Sequence, residues 1–200
     1  MFERLTGKQR SDETSDAALH ESALRGNGDA MAALYRRHGG LVYRFTLRMS
    51  QNASVAEEVT QEVFLALLNQ LERFDPQRAA LPTWLCGIAR RQLWKHLERF
   101  DENAGVADED DATEAESLDD SPMTLLMRQE AVATVRRGLD ELPMLYREVI
   151  VLCELEEMSY EETAVVLGVP IGTVRSRLHR AKARLARLLR GNAETEKRCG

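Results

Sequence analysis

An all-α fold, built as two small helical domains joined by a flexible acidic linker, is predicted by three observations. Ala, Leu, Glu and Arg, all good helix formers, dominate a chain in which Gly and Pro are sparse. Apolar residues recur at helical spacing in both halves, and no strand-like alternation of useful length interrupts them. Between the halves, residues 101–121 hold ten acidic side chains and no basic one. That segment has few large apolar residues, so it cannot bury a core, and its charges repel one another. A structureless loop of that length is unusual inside a compact domain, which favours a linker. The expected layout is a flexible N-terminus over 1–15, a domain over 16–100, the linker over 101–123, a second domain over 124–190 and a tail over 191–200.

In the N-terminal domain a first helix is expected over about Asp16 to Arg25, ending at the turn Gly26-Asn27-Gly28. Asp29 is the expected cap of a second helix that runs to about Met49, with Leu34, Leu41, Val42 and Phe45 on its apolar side. Ser54, with Glu57 three residues on, predicts a capping box at the start of a third helix. Val55, Val59, Val63, Ala66 and Leu67 form its stripe. A fourth helix is expected to begin around Pro82-Thr83, since proline suits a first turn. Its stripe is Leu85, Ile88, Ala89, Leu93 and Leu97.

Four more helices are expected after the linker. The first covers about Thr124 to Leu142, with Leu125, Val132, Val135 and Leu139 on one side. Pro143 separates it from a second, about Met144 to Glu157, carrying Leu145, Val149 and Leu152. Ser159 opens a short third helix through a capping box to Glu162. The last runs from about Ile171 to Arg190.

Of the 200 residues, 44% are hydrophobic and 30% charged, a soluble globular composition. No stretch approaches the ~18 apolar residues that span a bilayer, and the opening MFERLTGKQRSDETSD has no apolar run, so a cytoplasmic location without membrane insertion is expected. Cys86, Cys153 and Cys199 form no Cys-x-x-Cys pair and no metal spacing with His20, His38, His96 or His179, so no metal and no cofactor is expected. Cys86 and Cys153 sit in apolar helical patterns and read as packing residues.

The formal net charge of −6 argues against nucleic acid until its distribution is considered. The linker's ten acids account for more than the whole deficit, so the remainder is net positive. Residues 171–190 carry seven Arg or Lys and no acid.

Residues 159–178, SYEETAVVLGVPIGTVRSRL, have the layout of a helix-turn-helix. Ala164 allows close approach of the two helices. Gly168 suits the left-handed conformation that ends the first. Val174 packs the second back onto the first, near Val166, Leu167 and Leu178. The second helix then offers Thr173, Arg175, Ser176, Arg177 and Arg180 to duplex DNA, with its N-terminal residues placed for base edges in the major groove. Lys182, Arg184 and Arg187 suit phosphates or solvent.

At this point both halves resemble the sigma-70 family of RNA polymerase sigma factors, in its small extracytoplasmic-function group. The resemblance covers about residues 20–190. Its markers are AEEVTQEVFLALL (56–68), RFDPQRAALPTWLCGIAR (73–90), LDELPMLYREVIVLCELEEMSYEETAVVLGVPIGTVRSRLHRAKARL (139–185) and the acidic linker between them. It implies that residues about 20–100 correspond to region 2, which holds core polymerase and opens the promoter, and about 125–190 to region 4, which reads the minus-35 element as duplex. By the same resemblance, Glu57, Glu58, Gln61 and Glu62 lie on the surface that docks on core polymerase. From the residues alone they make an ordinary solvated helix face. An anti-sigma factor is implied as a further partner, and a stress or envelope response as the setting. No small-molecule substrate is implied.

The loop and helix after that face resemble the segment that melts and reads the minus-10 element. Capture of an unpaired base needs apolar or aromatic walls and nearby cations. Arg78, Thr83, Trp84, Arg90, Arg91 and Lys95 are the expected contacts, with Phe74, Asp75 and Gln77 around the loop and Arg99 continuing the stripe of Arg91 and Lys95. Trp84 and Phe74 also read as packing residues. Where family members often carry Gly, Ser and an aromatic with a basic residue before Thr-Trp, this chain has Ala79-Ala80-Leu81-Pro82.

Two other functional classes fit the sequence less well. A helix-turn-helix regulator acting without polymerase would carry a sensor or dimerisation domain, and the N-terminal half matches region 2 instead. An enzyme would show a Gly-rich phosphate loop, a nucleophile elbow or a His-carboxylate metal spacing, and the sequence has none of these.

Overall fold

A computed structural model describes the backbone of residues 14–102 and 122–199, and the side chains of 14–98 and 129–190. Its elements are α1 (Asp16–Leu24), α2 (Gly28–Ser50), α3 (Ala53–Asn69), a 3-10 turn (Leu71–Arg73), α4 (Leu81–Glu102), α5 (Pro122–Asp140), α6 (Met144–Ile150) with a π-helical continuation (Val151–Leu155), α7 (Tyr160–Leu167) and α8 (Ile171–Cys199). Every regular element among the described residues is helical. Most of the acidic segment, residues 103–121, and the N-terminal stretch 1–13 lie outside the described residues, and so do the linker and flexible N-terminus expected there.

The helix starts differ from expectation in two places. Asn27, not Asp29, caps α2, accepting from the backbone N–H groups of Asp29 and Ala30 at 3.0 and 3.3 Å. Asp29 instead sits in the first turn, where its charge suits the helix dipole. Asn52, not Ser54, caps α3, accepting from the Val55 N–H at 3.0 Å, so the Ser54–Glu57 box does not form. In both cases an Asn two residues upstream reaches the free N–H groups first. At α7 the expected capping box is present, with Ser159 Oγ accepting from Glu162 N–H at 3.1 Å and Glu162 Oε2 accepting from Ser159 N–H at 2.9 Å.

Two helix ends also differ. The expected single helix to Glu157 widens into a π turn over Val151–Leu155, and Glu157 takes a left-handed φ of 54°. The last helix continues beyond Arg190 to Cys199.

The apolar stripes of the N-terminal half form a core as expected. Leu34, Val42, Phe45, Val59, Val63, Leu67, Leu85 and Ala89 are fully buried, and each large side chain there contributes about 1.5–3 kcal/mol. Val132 and Val135 of α5 and Leu145 of α6, expected to face inward, are exposed. Leu139, Val149 and Leu152 of the same stripes are buried as expected, and Leu142 joins them. One continuous apolar cluster joins both halves. Cys86 lies within it, and burial pushes its thiol up to about 12, in keeping with a packing role.

Arg147 and Glu148 are buried charges in the middle of α6. The Arg147 guanidinium donates to the Leu139, Asp140 and Leu142 carbonyls at the end of α5, and to the Met49 carbonyl near the end of α2. It thereby satisfies carbonyls that helix termini leave open, with a charge of the favoured sign.

Candidate nucleic-acid interface

The helix-turn-helix is assembled by α7 and α8. Gly168 ends α7 at φ 65°, a conformation that side-chain-bearing residues adopt only with strain. Ala164, Val166, Leu167, Val174 and Leu178 are buried between the helices, as their spacing requires. Thr173 starts the exposed face of α8 and is half-buried. Arg175, Ser176 and Arg180 are exposed, and Arg177 is half-buried. The Arg175 guanidinium lies over the Tyr160 ring at 5.9 Å, which steadies it at the rim of the motif. Ser176 Oγ donates to the Thr173 carbonyl at 3.0 Å. Lys182 is not a free phosphate ligand here, because its ammonium pairs with Glu154 at 2.7 Å, which also raises its pKa.

The second candidate surface lies on α4. Arg91 and Lys95 are exposed one helical turn apart. With Arg73, Gln70 and Gln92 they line a groove of about 330 Å³ between the end of α3 and α4. Arg73 was not among the residues singled out from sequence. Only the 3-10 turn, which the helical periodicity does not announce, brings it beside Arg91. Arg78 is exposed on the preceding loop, and Trp84 is half-buried. Phe74 is a core residue, packed edge-on against His20 at 4.9 Å and tilted on Trp84 at 5.5 Å.

Thr83 and Arg90 are not displayed as expected. Thr83 is buried, and its hydroxyl donates to Glu162 Oε1 at 3.4 Å. Arg90 donates from Nε to Glu148 Oε1 at 2.8 Å, and the same carboxylate oxygen accepts from Trp94 Nε1 at 3.0 Å. Both residues face the C-terminal half, which covers this side of α4. Glu156 adds two more pairs across the halves, to Arg44 at 2.8 Å and to Arg48. Trp94, Glu148 and Glu156 are contributors that sequence reasoning missed. The signal available was Glu148, a charge set among the apolar residues of α6.

Glu57, Glu58 and Gln61 are exposed on α3 and Glu62 is half-exposed. His96 of α4 packs against this face. Among the described residues, Glu58, Glu62 and His96 are the one group whose ligand atoms come within 4.8 Å of one another as a metal site requires. No helix among the described residues is long and apolar enough to cross a membrane.

Comparison with known proteins gives consistent matches across both halves. The family described as Sigma-70 region 2 matches residues 34–99, and Sigma-70, region 4 matches 133–185. The chain is 32% identical over 178 residues to the ECF RNA polymerase sigma factor SigE of Mycolicibacterium smegmatis, covering 88% of this chain and 68% of that protein. It is 32% identical to the RNA polymerase sigma-H factor of Pseudomonas aeruginosa, covering 87% of this chain and 93% of that one. The solved structure of CnrH in complex with the cytosolic domain of CnrY superposes with a TM-score of 0.65 at 28% identity, over 89% of this chain and 99% of CnrH.

Proposed function

The chain belongs to the extracytoplasmic-function group of the sigma-70 family of RNA polymerase sigma factors, and from that membership we infer how its surfaces divide the work of initiation. Proteins of this family bind core RNA polymerase and promoter DNA. The chain is accordingly a non-enzymatic initiation factor that directs transcription in alternative, stress or envelope responses. Its work is binding: energy from contacts made only with the open promoter stabilises the separated strands.

The face of α8 carrying Thr173, Arg175, Ser176, Arg177 and Arg180 reads the minus-35 duplex. The observation that carries this reading is the exposed basic face of α8, held at a fixed angle by a turn that ends on a left-handed glycine. The groove of Arg73, Arg91 and Lys95, with Arg78 and Trp84 at the loop, holds the minus-10 strand by its phosphates and an unstacked base. Thr83 and Arg90 join that surface only once the C-terminal half moves off α4. Glu57, Glu58, Gln61 and Glu62 dock on core polymerase. CnrH is bound by the cytosolic domain of CnrY, and an anti-sigma factor is proposed as the partner that holds this chain in reserve. The working location is cytoplasmic, where polymerase is.

The test is start-specific transcription by the full chain with core polymerase on a promoter library. Arg175→Ala is expected to weaken binding to the selected minus-35 duplex by about 1–3 kcal/mol and to relax preference at one base position. Lys182→Ala, already paired to Glu154, is expected to leave base preference intact. Loss of start-specific transcripts from the unmodified chain would defeat the reading.

A further inference from the structure

We propose that Glu58, Glu62 and His96 form a binding site for a divalent transition-metal ion that bridges α3 and α4. The two glutamates stand four residues apart on α3 and so project side by side. Alone they would be a solvated pair. What distinguishes them is His96, whose side chain is only 8% exposed and faces them from α4. Its Nε2 lies 3.3 Å from Glu62 Oε2, and its Nδ1 lies 4.0 Å from Glu58 Oε2. Nε2 is nevertheless buried without a hydrogen-bond partner, and among the described residues no other buried side-chain nitrogen or oxygen is left so. Native structures rarely leave such an atom unsatisfied, and a bound ion is one standard way of satisfying it.

The donor set fixes the class of ion. One imidazole and two carboxylates suit a first-row divalent metal such as Zn²⁺ or Co²⁺, bound at about 2.0–2.2 Å. The ligand atoms lie within 4.8 Å of one another. Glu58 is 64% exposed and Glu62 35%, so both have the rotamer freedom to close that gap while the buried imidazole stays in place. Three protein ligands leave a fourth position for water, and the site opens to solvent on the carboxylate side. No nearby cysteine is needed: Cys86 is buried in the core.

The position gives the ion a consequence, which rests on the docking face proposed above. Glu58 and Glu62 are two of the four residues assigned to core polymerase. A bound ion neutralises their charge and turns them toward His96, so the ion and polymerase compete for the same carboxylates.

Metal binding is tested on the full chain without polymerase. Chelator-treated protein is titrated with Co²⁺ and followed by its visible d–d absorption, then back-titrated with Zn²⁺. One equivalent is expected, without thiolate-to-cobalt bands. His96→Asn is expected to weaken binding about 100-fold, the upper end of what loss of even an outer partner costs a metal site. Glu58→Gln/Glu62→Gln, at solvent-facing positions, is expected to do the same and keeps the test decisive if His96→Asn fails to fold. Absence of binding, thiolate bands, or unchanged affinity in the carboxamide variant overturns the site. Competition is read separately, as core polymerase affinity with and without Zn²⁺. A loss of about tenfold in the parent chain, absent in His96→Asn, supports it. Unchanged affinity in the loaded parent overturns the competition. Unchanged core affinity of metal-free Glu58→Gln/Glu62→Gln would instead overturn the docking face.

Discussion

Asp16 ties the first helix to the second, and its environment sets a pH dependence. Its carboxylate pairs with Arg37 at 2.6 Å and with His38 at 2.8 Å. Burial alone would raise its pKa, but the hydrogen bonds from Arg37 and His38, with their charges, together hold it below the ordinary aspartate value. A depressed carboxylate stabilises the fold above its unfolded pKa of about 4, and that contribution is lost as pH falls through the lower folded value. The pair is more than a quarter exposed, so the contribution is about 1 kcal/mol or less. Asp16→Asn is therefore expected to flatten the acid limb of a stability–pH curve below about pH 4 and to lower stability slightly at neutral pH. A steeper acid limb in the variant would contradict this assignment. Gly168 gives a second residue-scale outcome. A Cβ there meets nothing within 4 Å, so the cost of Gly168→Ala is backbone strain alone, about 1–2 kcal/mol. In a chain of this size that lowers Tm by roughly 2–8 °C in thermal unfolding, at 2–4 °C per kcal/mol.

At the scale of elements, α4 and α6 meet through a charge that is costly to hold. The Glu148 side chain is 1% exposed and is satisfied by Arg90 and Trp94. Arg90 keeps about a quarter of its side chain in solvent, so it can rehydrate if its partner is lost. Glu148→Gln is thus expected to cost about 1–3 kcal/mol in urea unfolding, less than the 3–5 kcal/mol of stranding a fully buried charge. A double-mutant cycle with Arg90→Ala separates the pair's coupling from its desolvation. These elements also show what the sequence made legible. The 3.6-residue spacing of Val55, Val59 and Val63, and of Leu85, Ala89 and Leu93, announced α3 and α4 and their buried faces, because burial of one stripe is local information. The capping box at Ser159 and the left-handed turn at Gly168 were legible for the same reason. The caps at Asn27 and Asn52 were missed because two candidate cappers stood within one turn and only geometry chooses between them. The exposure of Val132, Val135 and Leu145 was missed because which face of α5 or α6 is covered depends on where α8 and α4 come to lie.

For the molecule as a whole, pairings between residues far apart in the chain decide which surfaces are available. Glu148 with Arg90, Glu156 with Arg44 and Arg48, Glu162 with Thr83, and Arg147 with the Met49 carbonyl all join the N-terminal helices to the C-terminal ones. No periodicity encodes such pairs, so the sequence pointed to Arg90 and Thr83 as DNA contacts without showing that they are covered. The basic face of α8 and the Arg73–Arg91–Lys95 groove belong to opposite halves of this closed arrangement, and each remains open to solvent in part. On the proposal that Thr83 and Arg90 contact the minus-10 strand, promoter engagement uncovers the inner side of α4, and its binding energy offsets the loss of these pairs. A ligand shifts such an equilibrium only by its differential affinity for the two states. With fluorophores at Ala32 on α2 and Ala186 on α8, both exposed, the free chain is expected to show high transfer efficiency. Addition of core polymerase and promoter DNA is expected to produce a discrete low-transfer population. Glu148→Gln is expected to populate that state before any partner is added, because it weakens the closed arrangement without touching the basic face of α8. Efficiency that stays high in the complete promoter complex would mean that α4 works with Thr83 and Arg90 still covered, and would leave Arg73, Arg78, Arg91 and Lys95 as the minus-10 cations.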